Sequence, residues 1–310
     1  MKRKIGFSIG RLQVLYGDER ALEIAKEIGA DAVDFNLCGK RWDYRNPDSI
    51  YSKSDDEIVE YYTNLRKKAE NIGIEIAQTH GRIEGFKNIS EEDEALIKNA
   101  RIDCLATKTL GAPVCVMHGV TTIFLGPDAD PQLMRDLNFD MFNRIIPFAK
   151  QYGIKIATET FGDAKGGGET GGYHCCDFFG NAKEFIDTYN RICAEGDNSK
   201  YFTVCVDTGH SNKATRFDNP SAGDIIRMNG KNISVLHLHD NDTITDQHKA
   251  PMTGCIDWND VFDALDEVGY GGIYNLELAL GFFGKGFEIE TAEFGIKLFR
   301  HMLKTRYGEE

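Results

Sequence analysis

Five of the eight histidines, His80, His118, His210, His237 and His239, stand at or just past the C-terminal ends of short apolar runs. The carboxylates Glu159, Asp207 and Glu277 hold the same position on three of those runs. An apolar strand has no packing reason to finish in an imidazole or a carboxylate. Taken alone, each is explained as a solvated rim residue, but that explanation fails when at least six of eight runs share the feature at the same end. Gathering so many of these groups away from water costs several kcal/mol unless something positive neutralises them. A divalent cation is the simplest neutraliser, and mixed imidazole and carboxylate donors suit Mn²⁺, Zn²⁺, Fe²⁺ or Co²⁺ better than Ca²⁺. In Val235-Leu236-His237-Leu238-His239, strand alternation sends both histidines to one face. In Val206-Asp207-Thr208-Gly209-His210 the carboxylate ends the run, and the histidine three residues on can turn back toward it. Asp246-Gln247-His248 adds a further acid–imidazole pair downstream.

Residues so far apart in sequence need a scaffold that gathers strand ends. Candidate strands fall at Lys4–Ser8, Ala32–Leu37, Ile74–His80, Pro113–Met117, Lys155–Glu159, Phe202–Asp207, Ile233–His239 and Ile273–Leu278. Between them lie helical patterns at Glu19–Ile28, Asp55–Asn71, Glu91–Leu110, Met134–Tyr152, Lys183–Ile192, Ala222–Asn229, Trp258–Val268 and Ile289–Leu303. Gly29, Gly73, Gly153 and Gly269 stand where left-handed helix caps are wanted. Eight strand–helix units predict an α/β fold, a closed (β/α)8 TIM barrel that takes residues 1–310 as one domain. The rival open doubly wound sheet needs a glycine-rich phosphate turn after the first strand, where the chain instead reads SIGRLQVLYG. The longest segment expected to be irregular, Thr160–Phe179, follows the fifth strand and so belongs to the catalytic rim.

Composition narrows the partners. With 36 Lys and Arg against 49 Asp and Glu, the net charge is −13, which repels polyphosphate and anionic lipid surfaces; no nucleic-acid or membrane partner is expected. No run of eighteen apolar residues offers a membrane span, and the N-terminal apolar stretch is too short for a signal peptide, so the expected location is cytoplasmic. The eight cysteines contain no C-x-x-C pair. Cys115 and Cys205 read as small core hydrophobes. Cys175 and Cys176, after His174 in the glycine-rich segment, read as inert loop thiols with a ligand role as the alternative.

At IATET with Glu159, CVDTGH with Asp207 and His210, LHLHDND with His237, DQHKAPMTGCIDW with Asp246 and His248, and GYGGIYNLEL with Glu277, the chain resembles the xylose isomerase-like barrel superfamily, specifically its sugar phosphate isomerase/epimerase branch. The resemblance spans essentially the whole chain. It implies one divalent metal, manganese first with Zn²⁺, Co²⁺, Fe²⁺ or Mg²⁺ as alternatives, held by Glu159, Asp207, His237 and Glu277. It also implies that Glu159 and Glu277 are catalytic, exchanging a proton with substrate carbon through a metal-stabilised cis-enediolate. His80, His118, His210, Asp246 and His248 would then contact a small sugar, sugar phosphate or cyclitol. Epimerases of this kind carry an arginine a few residues after the ligand histidine; here that place reads Asp242-Thr243, a departure from simple ketohexose epimerisation. Trp258 resembles an aromatic that packs beneath the rim.

The same superfamily offers two other readings. All nine residues also resemble the ligand set of endonuclease IV, an abasic-site nuclease with three zinc ions, against which stand the charge and the lack of clustered basic residues. Other relatives are catalytic subunits of complexes that cleave C-glycosides after oxidation at sugar carbon 3, which would require a small accessory subunit. A homo-oligomer is the remaining possibility for a partner. A sugar-binding barrel without catalysis would have lost a ligand carboxylate, and none of the four positions has.

Overall fold

Runs of Val, Ile, Ala and Phe too short for helices alternate with amphipathic stretches that end in glycine. The computed structural model, which describes residues 3–166 and 172–308, turns that pattern into a closed cylinder. Its strands are β1 (Ile5–Ser8), β2 (Ala32–Asn36), β3 (Glu75–His80), β4 (Val114–Met117), β5 (Lys155–Glu159), β6 (Asp163–Gly166), β7 (Tyr173–Cys176), β8 (Phe202–Asp207), β9 (Ile233–His237) and β10 (Tyr274–Leu276). Eight of them pair in parallel in the order β10-β1-β2-β3-β4-β5-β8-β9. A parallel bridge between Leu238 and Leu276 joins β9 back to β10. The surrounding helices include α1 (Gly10–Tyr16), α2 (Asp18–Glu27), α3 (Asp55–Ile72), α4 (Ser90–Leu110), α5 (Thr122–Leu125), α6 (Pro131–Tyr152), α7 (Ala182–Cys193), α8 (Thr208–Ala214), α9 (Ala222–Asn229), α10 (Trp258–Glu267) and α11 (Glu288–Tyr307). This is the (β/α)8 TIM barrel that the alternation predicts.

Three details differ from the sequence expectations. β9 stops at His237 rather than His239 and β10 covers Tyr274–Leu276 rather than Ile273–Leu278, because beyond these points the pairing thins to single bonds such as Leu238 N–H to Asn275 O (2.8 Å). The Thr160–Phe179 segment is not irregular throughout: β6 and β7 pair antiparallel, Asp163 opposite Cys176 and Gly166 opposite Tyr173. Its glycines at 167, 168 and 171 lie outside the described residues. Finally, α1 and α8 are short helices that the periodicity did not separate from the loops.

Alternation along each strand sorts the side chains. One parity, including Phe7, Val33, Phe35, Cys115, Ile156, Val204, Val206, Leu236 and Leu276, packs outward into the main core under the helices. The other parity points into the barrel, where Val114, Val116, Ala157, Cys205 and Val235 form a separate small apolar cluster. One step further toward the C-terminal ends, that inward row continues as His118, Glu159, Asp207 and His237. On β4, β5, β8 and β9 the barrel interior thus changes from apolar floor to ionisable mouth within two residues.

The loop after β3 is anchored by a buried ion pair. Arg82 Nε donates to Asp103 Oδ2 of α4 at 2.8 Å, and Arg82 Nη2 reaches both Asp103 Oδ1 (3.2 Å) and the Leu37 carbonyl. Tyr51 Oη donates to the same carboxylate at 2.6 Å. Removing one partner of such a pair strands the other charge. Asp103→Ala is therefore expected to lower the stability to urea by about 3–5 kcal/mol, and the double change Arg82→Met with Asp103→Leu to lower it by less. A single variant within about 0.5 kcal/mol of the wild type, the range of ordinary surface substitutions, would contradict this.

Candidate active site

Glu159 ends β5 at the centre of the mouth and is 1% exposed. Its Oε2 lies 3.2 Å from His118 Nε2, 3.2 Å from His237 Nδ1 and 3.6 Å from His80 Nε2, and its Oε1 lies 3.3 Å from His210 Nδ1. None of these approaches has hydrogen-bond geometry. Both Glu159 oxygens, His118 Nε2 and His237 Nδ1 are buried with no hydrogen-bond partner. Burial pushes the Glu159 carboxyl up, but the charges of His237 and His118 and contacts with His118 and His210 outweigh it and hold the group well below the usual carboxylate range.

His237, at the end of β9, links the two glutamates. Its Nδ1 is 3.3 Å from Glu277 Oε2 as well as 3.2 Å from Glu159. Its Nε2 lies 3.1 Å from Asp34 Oδ2, a contact that anchors that edge of the ring and turns Nδ1 toward the two glutamates. Ser8 Oγ donates to the same Asp34 oxygen at 3.0 Å, and Asn275 Nδ2 donates to Ser8 Oγ at 3.0 Å. Asp207, in register with His237, accepts from the His210 backbone N–H at 2.6 Å and pairs with His239 Nε2 at 3.0 Å. Burial raises the Asp207 carboxyl and the nearby imidazoles of His210 and His239 more than reverse this, leaving it at about 2. His210 Nε2 is 3.5 Å from Asp246 Oδ2, which also pairs with His248 Nε2 at 3.3 Å. His248 Nδ1 bonds the Glu277 carbonyl at 3.1 Å, and the residue is held at φ +44°, a left-handed backbone uncommon outside glycine.

All nine residues singled out in the sequence, His80, His118, Glu159, Asp207, His210, His237, Asp246, His248 and Glu277, therefore join one continuous network. Four more belong to it. His239, which the alternation placed inside the barrel, bonds Asp207 and stacks on His248 with centroids 3.8 Å apart. Asp34 and Gln78 flank His237, each 3.1 Å from Nε2. Lys213 on α8 is 7% exposed and sits 2.6 Å from Asp163 and 3.8 Å from Asp246. A charged residue inside a buried strand is the signal that would have found Asp34; Lys213 carries none. Trp258, at the start of α10, is buried in the main core against Phe262 and Phe299 and donates to Asp240 at 2.9 Å. Cys175 and Cys176 lie on β7 at the hairpin, away from this network's contacts.

Several triplets offer ligand atoms within 4.8 Å of one another, among them His80–His237–Glu277, His80–His118–Glu159 and His210–Asp246–His248. The donor set, with its orphaned lone pairs on Glu159 and His237, fits a divalent cation.

Fold and mouth together define a parallel (β/α)8 barrel with a carboxylate–imidazole centre at the C-terminal strand ends. Residues 22–288 match the xylose isomerase-like TIM barrel family, and the chain belongs to that family. Among solved structures it is similar to a D-tagatose 3-epimerase-like protein, at 20% identity and a TM-score of 0.70 over 98% of this chain and 99% of that one. It is similar also to a 3-keto-D-glucoside 4-epimerase from E. coli (12%, TM-score 0.68, 97% and 100%) and to an IolI protein with a bound zinc (18%, 0.67, 97% and 97%). The chain spans about half the length of the curated relatives it matches. One of them, an uncharacterised protein of Sinorhizobium fredii, is 26% identical over 183 residues, 59% of this chain and 51% of the relative. Among the described residues no helix is long and apolar enough to cross a membrane.

Gly209 is required for this packing, since a Cβ there would fall inside the His239 ring. Gly209→Ala is expected to cost about 1–3 kcal/mol by overpacking and to part His239 from Asp207, read as a lowered melting temperature with shifted His239 imidazole resonances. An unchanged melting temperature with unchanged resonances would show that the ring has room to spare.

Proposed function

We propose that this chain is a sugar isomerase or epimerase that moves a proton at a carbon next to a carbonyl, with Glu159 and Glu277 as the two proton carriers. The observation that carries the reading is their common approach to His237 Nδ1 from strands well separated around the barrel, β5 and β10, at 3.2 and 3.3 Å. A substrate seated in the mouth would have one carboxylate toward each face. One glutamate takes the proton from carbon, and the other returns a proton to the opposite face, which inverts the centre. Return to the adjacent carbon instead interconverts aldose and ketose. Two carboxylates are needed because one base cannot serve both faces. The imidazoles of His80 and His210, which are buried, and of His118 and His248, which are partly exposed, offer donors to the substrate oxygens.

Glu159, Asp207, His237 and Glu277 are the residues that would hold a divalent ion, with manganese the expected metal. When bound, it supplies Lewis-acid polarisation of the carbonyl oxygen and so acidifies the neighbouring C–H. The names of the similar structures, two epimerases or epimerase-like proteins and a zinc-containing relative, support a sugar substrate and a metal. A second reading keeps the proton transfer but uses it next to the carbonyl of a 3-oxo-glycoside. The likeness to a 3-keto-D-glucoside epimerase favours that alternative.

Two measurements test the proposal. Glu159→Gln and Glu277→Gln are each expected to slow solvent deuterium exchange into a ketose such as D-tagatose by about 10²–10⁴-fold, with the circular dichroism spectrum kept; exchange at the wild-type rate in both would remove the assigned roles. Chelation should lower the melting temperature, and added Mn²⁺ or Zn²⁺ should restore it, because a ligand that binds only the folded state stabilises it. A melting temperature indifferent to chelator and to either ion would count against a metal.

A further inference from the structure

One buried cation beside the mouth has no part in the proton transfer described so far. The Asp207 carboxylate caps α8 by accepting from the His210 N–H, so this helix grows directly out of the network. Three residues make just under one helical turn, and Lys213 therefore follows His210 along the same side. Every residue of α8 is buried, and Lys213 is only 7% exposed. A lysine is rarely placed so deep unless carboxylates meet it. Two do, from different loops: Asp163 Oδ1 of β6 at 2.6 Å, and Asp246 Oδ1 of the loop after β9 at 3.8 Å.

The first partner does not account for the lysine. Asp163 also meets His174 through Oδ2, and Lys165 Nζ stands 3.5 Å from that same oxygen, so a second cation already faces it. The β6–β7 hairpin that carries Asp163 is tethered by other bonds. Asp177 Oδ2 accepts from the Thr122 N–H at 2.8 Å, and the Phe178 N–H donates to Thr122 Oγ1 at 3.0 Å. On the opposite side Lys165 Nζ donates to the Ile244 carbonyl at 2.7 Å.

The second partner is placed differently. The Asp246 side chain is 38% exposed, so water competes for it. Its Oδ2 faces two imidazoles at once, His210 Nε2 at 3.5 Å and His248 Nε2 at 3.3 Å. The other nitrogens of these rings lie 3.2 Å from the Thr160 carbonyl and 3.1 Å from the Glu277 carbonyl. One carbonyl belongs to the residue after Glu159 and the other to Glu277 itself, so the two rings stand beside the two proton carriers. Among the described residues, Lys213 is the one lysine or arginine within 4 Å of Asp246. Shielded from water, a charge at 3.8 Å turns a carboxylate without a hydrogen bond.

We propose that Lys213 is a positioning residue for the proton transfer. Its ammonium turns Asp246 toward His210 and His248, and those imidazoles are thereby held where they meet substrate oxygens beside Glu159 and Glu277. The inference rests on the proton-transfer reading above and adds to it a residue that touches neither the substrate nor the reacting carbon.

Two variants separate this role from a tether for the hairpin. Lys213→Met removes the charge at nearly constant volume, whereas Asp163→Asn weakens the tether and leaves the ammonium facing Asp246. In the Zn²⁺-loaded protein, Lys213→Met is expected to shift the imidazole ¹H–¹⁵N resonances of His210 and His248, and Asp163→Asn to leave them near their wild-type positions. In solvent deuterium exchange into D-tagatose, Lys213→Met should lower kcat about ten- to hundredfold with KM changed by less than about threefold, and Asp163→Asn should change kcat by less than about threefold. Unshifted resonances in Lys213→Met, a kcat in that variant within about threefold of the wild type, or an equal loss in Asp163→Asn would each overturn the proposal. Should Lys213→Met fail to fold, the double variant Lys213→Met with Asp163→Asn, which removes the buried carboxylate along with its lysine, carries the same comparison. The two readings fail separately. Exchange that survives Lys213→Met removes the positioning role alone, while a wild-type protein that exchanges no deuterium, yet whose resonances shift in Lys213→Met, removes the proton transfer.

Discussion

Glu159 sits at 1% exposure with neither carboxylate oxygen hydrogen-bonded, ringed by His80, His118, His210 and His237 at 3.2 to 3.6 Å. A buried carboxylate without hydrogen-bond donors costs several kcal/mol, and only positive charge around it, on the imidazoles or on a bound ion, offsets that cost. A protein can tolerate this only where a positive centre, proton or metal, holds the group together. The rest of the mouth follows from that requirement. Asp34 fixes the orientation of the His237 ring, Gly209 gives His239 room to reach Asp207, and the backbone at His248 takes up a left-handed conformation to bring its ring beside Glu277. Unfavourable local arrangements of this kind collect at functional sites.

The barrel makes the gathering possible without large rearrangements of chain. Four strands each contribute an apolar inward residue and, two positions later, an ionisable one: Val116 precedes His118, Ala157 precedes Glu159, Cys205 precedes Asp207 and Val235 precedes His237. Closing the sheet then turns four separate sequence steps into one ring of side chains. The floor cluster excludes water from below, which strengthens each electrostatic contact above it. Around the rim, the loops supply what the strands do not: the Asp246–His248 pair after β9 and the β6–β7 hairpin that meets Lys213 through Asp163.

Much of this was legible before any coordinates. Strand ends finishing in His, Glu or Asp identified seven of the nine residues of the first network, the Asp246-Gln247-His248 loop pair supplied the other two, and the parity of His237 and His239 placed both inside. Boundaries such as β5 at Lys155–Glu159 and β8 at Phe202–Asp207 coincide with their apolar runs, because a strand buried on both faces is apolar throughout. What escaped did so for identifiable reasons. Asp34 lies inside its strand rather than at the end, so a search of strand ends passes it by. The helix α8 is buried along its whole length and shows no polar face, which erases the periodicity that reveals surface helices. The β6–β7 hairpin has only four residues per strand, among them Lys165, Gly166 and His174, too few and too polar for an alternation signal.

The central claim is that one positive ion is shared by residues from four strands. X-ray diffraction from Mn²⁺-soaked crystals, recorded on both sides of the manganese absorption edge, addresses it directly. The account predicts an anomalous peak bonded to Glu159, Asp207, His237 Nδ1 and Glu277 at roughly 2.0–2.3 Å, the range of imidazole and carboxylate ligands. A mouth without anomalous density, or a peak bonded elsewhere while these four residues keep only one another as partners, would contradict it.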